Sequence, residues 1–494
     1  MTLATSILFV PPPSPGIVVS AQQEARDLFS SLECWLSSAP ALTLPLHLVE
    51  QQQQIKDRQV QRLLWQAHVQ QRGTGDVGPA LKVLPASSGS LFTHRRLQRR
   101  TLNTIFGPVH IDRIGYSHPG QPSIHPLDEA LQLPARSFSY ELQKRLVQAA
   151  VQGPLRESID RILDTSGLTV PMRSLEQILQ DAAQDFDAFY AQRPADPSSP
   201  AASILVVAVD CKGIPIVKPP RNQRSVRRTK GQKANPKKMA TVAAVFTRQP
   251  WIRTPQQVVE SLFRVHTKIN HDQSPPPKPE HKRVWASLVK GKAAVVDEVV
   301  AEVHRRDPDA RFTLVALTDG ERALQILVSQ KLNVILILDL LHVMEKVWKA
   351  ARVFHPEGTL YARLMTHRIL EGHVGQVVKG LRQTVTKRNL SGSKAKILLS
   401  VAAYFHRNRD RMRYHDYLAQ GLPIASGSVE GACKNLIKDR MERSGMRWTQ
   451  SMAEAVVKLR ALYLSGDFNT YWDFHICEDQ QRLYRPGRWA VVVK

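Results

Sequence analysis

Four acids in this chain have surroundings that suit them to chemistry rather than to solvation. Asp210 ends the β-branched run Ser203-Ile204-Leu205-Val206-Val207-Ala208-Val209, Asp319 follows Phe312-Thr313-Leu314-Val315-Ala316-Leu317-Thr318, and Asp339 follows the apolar stretch 333–338. Glu430 stands in the first turn of a helical run opened by Ala425-Ser426-Gly427-Ser428, with Lys434, Lys438, Arg440, Arg443 and Arg447 around it. An acid just past a buried strand is held rigidly at the carboxyl edge of a sheet, where the sites of α/β folds gather. Carboxylates brought together there repel, and a divalent cation or a proton must offset the repulsion. Oxygen ligands select Mg²⁺ or Mn²⁺. Ions so held can activate a water or a 3′-hydroxyl and stabilise the leaving oxygen of an in-line phosphodiester displacement. Singly, each aspartate reads more simply as a loop cap, and Glu430 as an acid favoured by the helix dipole. Jointly, in a protein this basic, the shared site is the better reading.

That basicity is the second observation. A net charge of +25 calls for a polyanionic partner, either nucleic acid or an anionic membrane surface. No apolar run reaches the ~18 residues of a spanning helix, so the membrane reading lacks support. The apolar residues 1–10 have no basic flank and run into prolines at 11–13, which does not read as a signal peptide. At 494 residues the chain exceeds one ordinary core, and its 43% hydrophobic content fits soluble globular domains. Cys34, Cys211, Cys433 and Cys477 lie too far apart for a disulfide framework or a zinc knuckle and fit a reducing cytosol.

The elements that must position the acids follow from periodicity. Residues 21–35 and 46–71 read as helices, with a glycine-rich break at 73–78. The basic run 95–100 precedes alternating residues 101–116 around Gly107-Pro108, a β-hairpin pattern whose cations serve equally as phosphate contacts or as a solvated flank. Segments 155–163 and 172–186, joined through Ser166-Gly167-Leu168, have the outline of a helix-turn-helix, though plain helix packing looks the same. A Pro-rich linker follows at 194–201. Beyond it, strands are expected at 203–210, 239–247, near Trp251, at 312–318 and at 333–338, with helices at 284–305, 321–330 and 341–354, a mixed α/β sheet. Residues 221–238 hold Arg221, Arg224, Arg227, Arg228, Lys230, Lys233, Lys237 and Lys238 with no acid, which favours phosphate contact. Residues 360–418 read as an inserted all-α segment, 453–464 as an amphipathic helix, and the remainder as a short aromatic-containing tail.

Taken together, these motifs resemble a known family. Val209-Asp210, Thr318-Asp319-Gly320-Glu321-Arg322-Ala323, Ile337-Leu338-Asp339-Leu340-Leu341-His342-Val343-Met344-Glu345-Lys346-Val347-Trp348, the stretch 426–434 and Ser444-Gly445-Met446-Arg447-Trp448 are similar to the ISKra-type insertion-sequence transposases, of the DDE group. The resemblance covers roughly residues 90–465. It implies an RNase H-like mixed sheet with flanking helices, interrupted by an all-α insertion and preceded by a mainly helical region. It also implies Asp210, Asp319 and Glu430 as a catalytic metal triad. Asp339-Leu340-Leu341-His342 resembles the acid-x-x-His signature that related transposases carry ahead of an inserted helical domain. On that basis Asp339 is the alternative second aspartate and His342 a supporting group. Two departures stand out: Cys211 replaces a usual Gly, and Tyr116-Ser117-His118-Pro119 stands where relatives often carry a cysteine pair.

The expected organisation is a helical region at 1–90, a DNA-binding region at 91–193, the linker at 194–201, core at 202–354, helical insertion at 355–423, core at 424–465 and tail at 466–494. Expected DNA contacts are Arg221, Arg224, Arg227, Arg228, Lys230, Lys434, Lys438, Arg440, Arg443, Arg447 and Trp448. The expected activity is Mg²⁺- or Mn²⁺-dependent DNA cleavage and strand transfer on double-stranded DNA, both terminal inverted repeats and target. A homo-oligomer on DNA, in a bacterial cytoplasm and near the nucleoid, goes with it. A stand-alone RNase H-like nuclease and an inactive DNA-binding relic are the competing readings.

Overall fold

The computed structural model describes residues 15–84, 90–194, 203–217, 237–264, 276–425, 427, 431, 434–485, 487 and 489–492. The chain divides into two compact units, Phe186–Phe468 and Met1–Asp185 with Asn469–Lys494.

In the unit Phe186–Phe468, strands β1 (Ile204–Pro215), β2 (Lys237–Arg248), β3 (Glu280–Ser287), β4 (Thr313–Thr318) and β5 (Ile335–Leu338) form one mixed sheet in the order β3-β2-β1-β4-β5. β1 is antiparallel to β2 and parallel to β4, β3 extends the antiparallel side, and β5 extends the parallel side. Residues 204–209 are buried without a break, as a central strand covered on both faces requires. β1 is longer than its apolar run. It continues with β2 as far as Pro215 opposite Lys237, whereas its last pair with β4 is Ala208 with Leu317. Asp210 therefore lies within β1, level with the ends of β4 and β5 rather than at its own strand's end.

The third strand also differs from expectation. Residues 249–254, around Trp251, form a connection into helix α1 (Pro255–Phe263), which Thr254 and Gln257 close with a capping box. The edge strand is β3 instead. Val284, Trp285 and Ala286 are buried in it, and the following helix α2 (Lys292–Arg306) begins only after Gly291. Helix α3 (Arg322–Lys331) joins β4 to β5. Asp339 then caps helix α4 (Leu340–Phe354), which opens the helical run α5 (Thr359–Leu370), α6 (Val374–Lys387), α7 (Gly392–Asn408) and α8 (Tyr414–Ala419). Met344 on α4 accepts from the Thr366 hydroxyl on α5 at 3.2 Å. Trp448 ties the closing segment to the far end of β1: its N–H donates to Pro215 and its carbonyl accepts from Val217, at 3.1 and 2.8 Å. Helix α9 (Gln450–Ser465) follows, and its Glu454 accepts from the Ser287 hydroxyl and the Leu288 N–H at the end of β3, both at 2.7 Å.

The other unit pairs two long helices, Pro15–Leu36 and Leu46–Gln71, with a hairpin of His94–Thr104 and Gly107–Ser117 in unbroken antiparallel register. The hairpin matches the alternation read at 101–116 and is longer. Leu102, Val109 and Ile111 from the hairpin pack with Val69, Leu127 and Leu133. Leu155–Ser166 ends at Gly167 in the left-handed region, φ +67°, before Met172–Ala182 begins. Arg136 bonds both Gln177 and Asp181 on that second helix, so part of its polar surface is engaged within the unit. The C-terminal stretch is structured: helix Phe468–Leu483 is followed by strand Trp489–Val491, which pairs with Leu81–Val83. The Asp185 carboxylate receives hydrogen bonds from His475 at 2.7 Å and from Arg482 at 2.6 and 3.0 Å. Burial alone would raise its pKa, but these donors outweigh that and hold it below the ordinary carboxylate value.

Candidate active site

Register sets three of the four acids along one edge of the sheet. Ala208 pairs with Leu317, and Leu317 with Ile337, so Asp210, Asp319 and Asp339 each stand two residues beyond one continuous rung across β1, β4 and β5. Adjacent strands are ~4.8 Å apart, which makes Asp319 the neighbour of both and leaves Asp339 about twice as far from Asp210.

Their carboxylates are held differently. Asp210 Oδ1 accepts from the Cys211 N–H at 2.6 Å, and Asp319 Oδ1 from the Glu321 N–H at 2.8 Å. The second oxygens of these two aspartates make no hydrogen bond among the described residues. Asp339 is 2% exposed and its Oδ1 accepts from the Leu341 N–H at 2.9 Å, the cap of α4. Its Oδ2 lies 3.4 Å from His342 Nδ1, an attraction of charge rather than a well-aligned hydrogen bond. The Asp339 carboxylate raises the His342 pKa, with Asp319 and Glu345 adding to the effect against desolvation. Asp339 thus caps a helix and faces an imidazole, while one oxygen each of Asp210 and Asp319 has no hydrogen-bond partner among the described residues.

Asp319 is fixed from its carbonyl side as well. That oxygen accepts from the Tyr404 hydroxyl of α7 at 2.9 Å, and Gly320 at φ +92° allows the approach. Lys292, at the start of α2, pairs with Glu321 beside this edge. The pairing raises the lysine pKa, with the charges of Cys211 and Asp319 contributing. Burial pushes the Cys211 thiol up. Lys292 and Tyr404 escape a reading of the sequence alone, because each lies far along the chain from the aspartate edge it serves.

The two carboxylates, Asp210 within β1 and Asp319 just past β4 on the neighbouring strand, are hard oxygen donors of the kind that suits a divalent cation such as Mg²⁺ or Mn²⁺. Among the described residues no three His, Cys, Asp or Glu side chains converge closely enough to complete a metal site by themselves. Glu430 lies outside the described residues, as do Arg221, Arg224, Arg227, Arg228, Lys230 and the side chain of Lys434. Lys438, Arg443 and Arg447 belong to the described segment that closes the unit. Arg440 and Trp448 turn inward from it. Arg440 is fully buried, its guanidinium 4.7 Å from the Trp448 ring centre, and Trp448 is 4% exposed with its indole N–H on the Met441 carbonyl. Burial lowers the Arg440 pKa to about 10. This pair packs the core under the segment instead of facing phosphate, a correction to the expected DNA contacts.

The hairpin arginines of the other unit are largely occupied. Arg95 pairs with Asp76 and Arg99 with Asp112, and Arg100 and Arg113 share the buried Asp128. The solvated-flank reading therefore describes most of the run 95–100 better than phosphate contact.

No family model matches the chain, and no curated protein matches it in sequence. Among solved structures it is similar to the Drosophila P element transposase strand transfer complex, at TM-score 0.24 and 10% identity over 68% of this chain and 80% of that one. A likeness so loose does not define a shared site. No helix among the described residues is long and apolar enough to cross a membrane.

Proposed function

We propose that the chain is a DDE-type transposase of the ISKra kind, with an RNase H-like core, that cleaves DNA at the ends of an insertion sequence and joins the freed 3′-hydroxyl to target DNA. One observation carries this reading: Asp210 and Asp319 each stand two residues past the last paired rung of adjacent parallel strands, each with a carboxylate oxygen that makes no hydrogen bond among the described residues, in a chain of net charge +25. Those positions, on the first strand and directly after the fourth, match what the family resemblance implies for two metal ligands. Glu430 is the third in this reading.

Asp210, Asp319 and Glu430 would hold Mg²⁺ or Mn²⁺, which supplies charge neutralisation at the scissile phosphate and a more acidic attacking hydroxyl. The chain's own part is placement. The Cys211 and Glu321 N–H groups fix one oxygen of each aspartate, which aims the other. Tyr404 clamps the Asp319 backbone, and Asp339 with His342 supports the same edge from α4. Lys292 pairs with Glu321 and holds that side chain beside the same edge. Double-stranded DNA is the partner, a homo-oligomer the working form, and the bacterial nucleoid the place.

Purified protein with labelled element-end duplexes and Mg²⁺ tests this. Joined products are expected from the wild type. Asp210→Asn, Asp319→Asn and Glu430→Gln should each lower cleavage at least about a hundredfold, because each removes charge stabilisation of several kcal/mol. Simple nicking would favour a stand-alone nuclease, and binding without cleavage an inert DNA-binding relic. If Asp339→Asn alone abolished cleavage while Asp319→Asn did not, Asp339 would be the second ligand.

A further inference from the structure

We propose that the cleft between α4 and α7 is a binding site for the phosphodiester backbone of DNA, feeding the strand to Asp319; the assignment rests on the transposase reading above and adds a substrate-binding surface to it. The cleft encloses about 440 Å³. Lys346 and Lys349 line it from α4, and Ser393, Lys396, Tyr404 and Arg407 from α7, with no acid among the described lining residues. The spacing is helical. Lys346 and Lys349 are one turn apart, and positions 393, 396, 400, 404 and 407 recur every three or four residues, so each set occupies one helix face.

None of these four cations pairs with an acid among the described residues. Cations that face one another across a groove repel, and a fold leaves such repulsion in place where a polyanion is to relieve it. The hairpin of the other unit shows the contrast, since Arg95, Arg99 and Arg100 there are each paired with an aspartate. Lys349, Lys396 and Arg407 stand along an open groove, an arrangement that suits an extended backbone rather than a caged single phosphate. Ser393 and Ser400 add hydroxyl donors to phosphate oxygens. Tyr404 connects the cleft to the chemistry. Its ring lies 5.4 Å from Lys346 Nζ and its hydroxyl bonds the Asp319 carbonyl, so a strand in the cleft passes beside the aspartate edge.

The test is binding of a labelled duplex to the full chain by fluorescence anisotropy, in EDTA to exclude cleavage, over a range of salt. Combined Lys349→Ala, Lys396→Ala and Arg407→Ala should weaken binding tenfold or more at moderate salt. It should also flatten the slope of log K against log salt by about 0.9 for each phosphate that the variant leaves unneutralised. The replaced side chains line an open groove, so Tm should hold; should the triple variant lose Tm, each single replacement carries the test with a slope change of about 0.9. Wild-type affinity and slope in these variants would overturn the cleft assignment and leave the transposase reading intact. Cleavage retained by Asp210→Asn, with binding abolished in the triple variant, would overturn the transposase reading and leave the cleft standing. A photo-crosslinker placed through Ser393→Cys should capture duplex DNA, and failure to capture it would count against the cleft.

Discussion

Gly320 controls how closely Asp319 can be held. Its φ of +92° lies where a side chain is strained, and an added Cβ would come within 2.8 Å of Tyr404 Oη and 3.2 Å of Leu338 Cδ1. Gly320→Ala therefore forces either the backbone or Tyr404 to shift, and the Tyr404–Asp319 bond breaks in both cases. We expect a stability loss of about 1–3 kcal/mol in urea unfolding, together with a fall in cleavage larger than the fall in DNA affinity. Tyr404→Phe isolates the hydroxyl and should cost about 1–2 kcal/mol, since it leaves the Asp319 carbonyl without that donor. A Gly320→Ala protein with wild-type cleavage would show that Tyr404 does not position Asp319. The motif Asp319-Gly320 was legible in the sequence; the reason for its glycine was not, because the tyrosine that demands it lies 85 residues on. Arg440 shows the converse. It stands among the cations that follow Glu430 in the sequence, and only Trp448, its ring partner, hints that this one turns inward.

Edge strand β3 is joined to helix α2 by a buried charge cluster that no local pattern discloses. Glu302, with its side chain 1% exposed, accepts from Arg283 of β3 at 2.5 Å and pairs with Arg305 and Arg306 of its own helix. Arg283 is itself held between rings, 3.6 Å from the centre of Tyr190 and 4.4 Å from that of Trp285. Burial alone would raise the Glu302 pKa, but the guanidiniums overcome it and bring it to about 2. A folded-state pKa below the unfolded one stabilises at high pH. The contribution is full above about pH 4.5 and is lost as pH falls through about 2. A depression of that size corresponds to about 3 kcal/mol. Glu302→Gln should lower the unfolding free energy by roughly 3–5 kcal/mol at neutral pH, since it leaves buried arginines uncompensated. It should also flatten the acid limb of a urea-unfolding series, and an unchanged acid limb would assign that limb to other carboxylates. The β1, β2, β4 and β5 cores announce themselves as apolar runs, three of them ended by an acid. β3 did not, because Val284-Trp285-Ala286 lies so close to helix α2 that the two read as one segment. The C-terminal helix was missed for a related reason: its docking rests on Asp185, far away in the chain, rather than on an amphipathic repeat.

Across the whole molecule, charge and carboxylates oppose each other, and that opposition is testable. On the transposase reading, the excess of +25 would draw in phosphate, while Asp210 and Asp319 at the sheet edge would repel it until a divalent cation is present. Binding of DNA and binding of the ion are then linked: each should strengthen the other by the same factor. Asp210→Asn removes one repelling charge without changing the shape of the strand, so it should bind duplex DNA more tightly than wild type in EDTA, by a few-fold at low salt. Adding Mg²⁺ should tighten the wild type and leave the variant nearly unchanged, so that the two affinities converge or cross. Calcium, which suits carboxylate oxygens, can replace magnesium in the same titration to separate ion binding from cleavage. Both effects should shrink as salt rises, because the charges act across solvent as well as through direct pairing. Equal affinities of wild type and variant in EDTA, with no response of either to divalent cation, would mean that Asp210 does not face the DNA. The +25 excess would then serve binding alone.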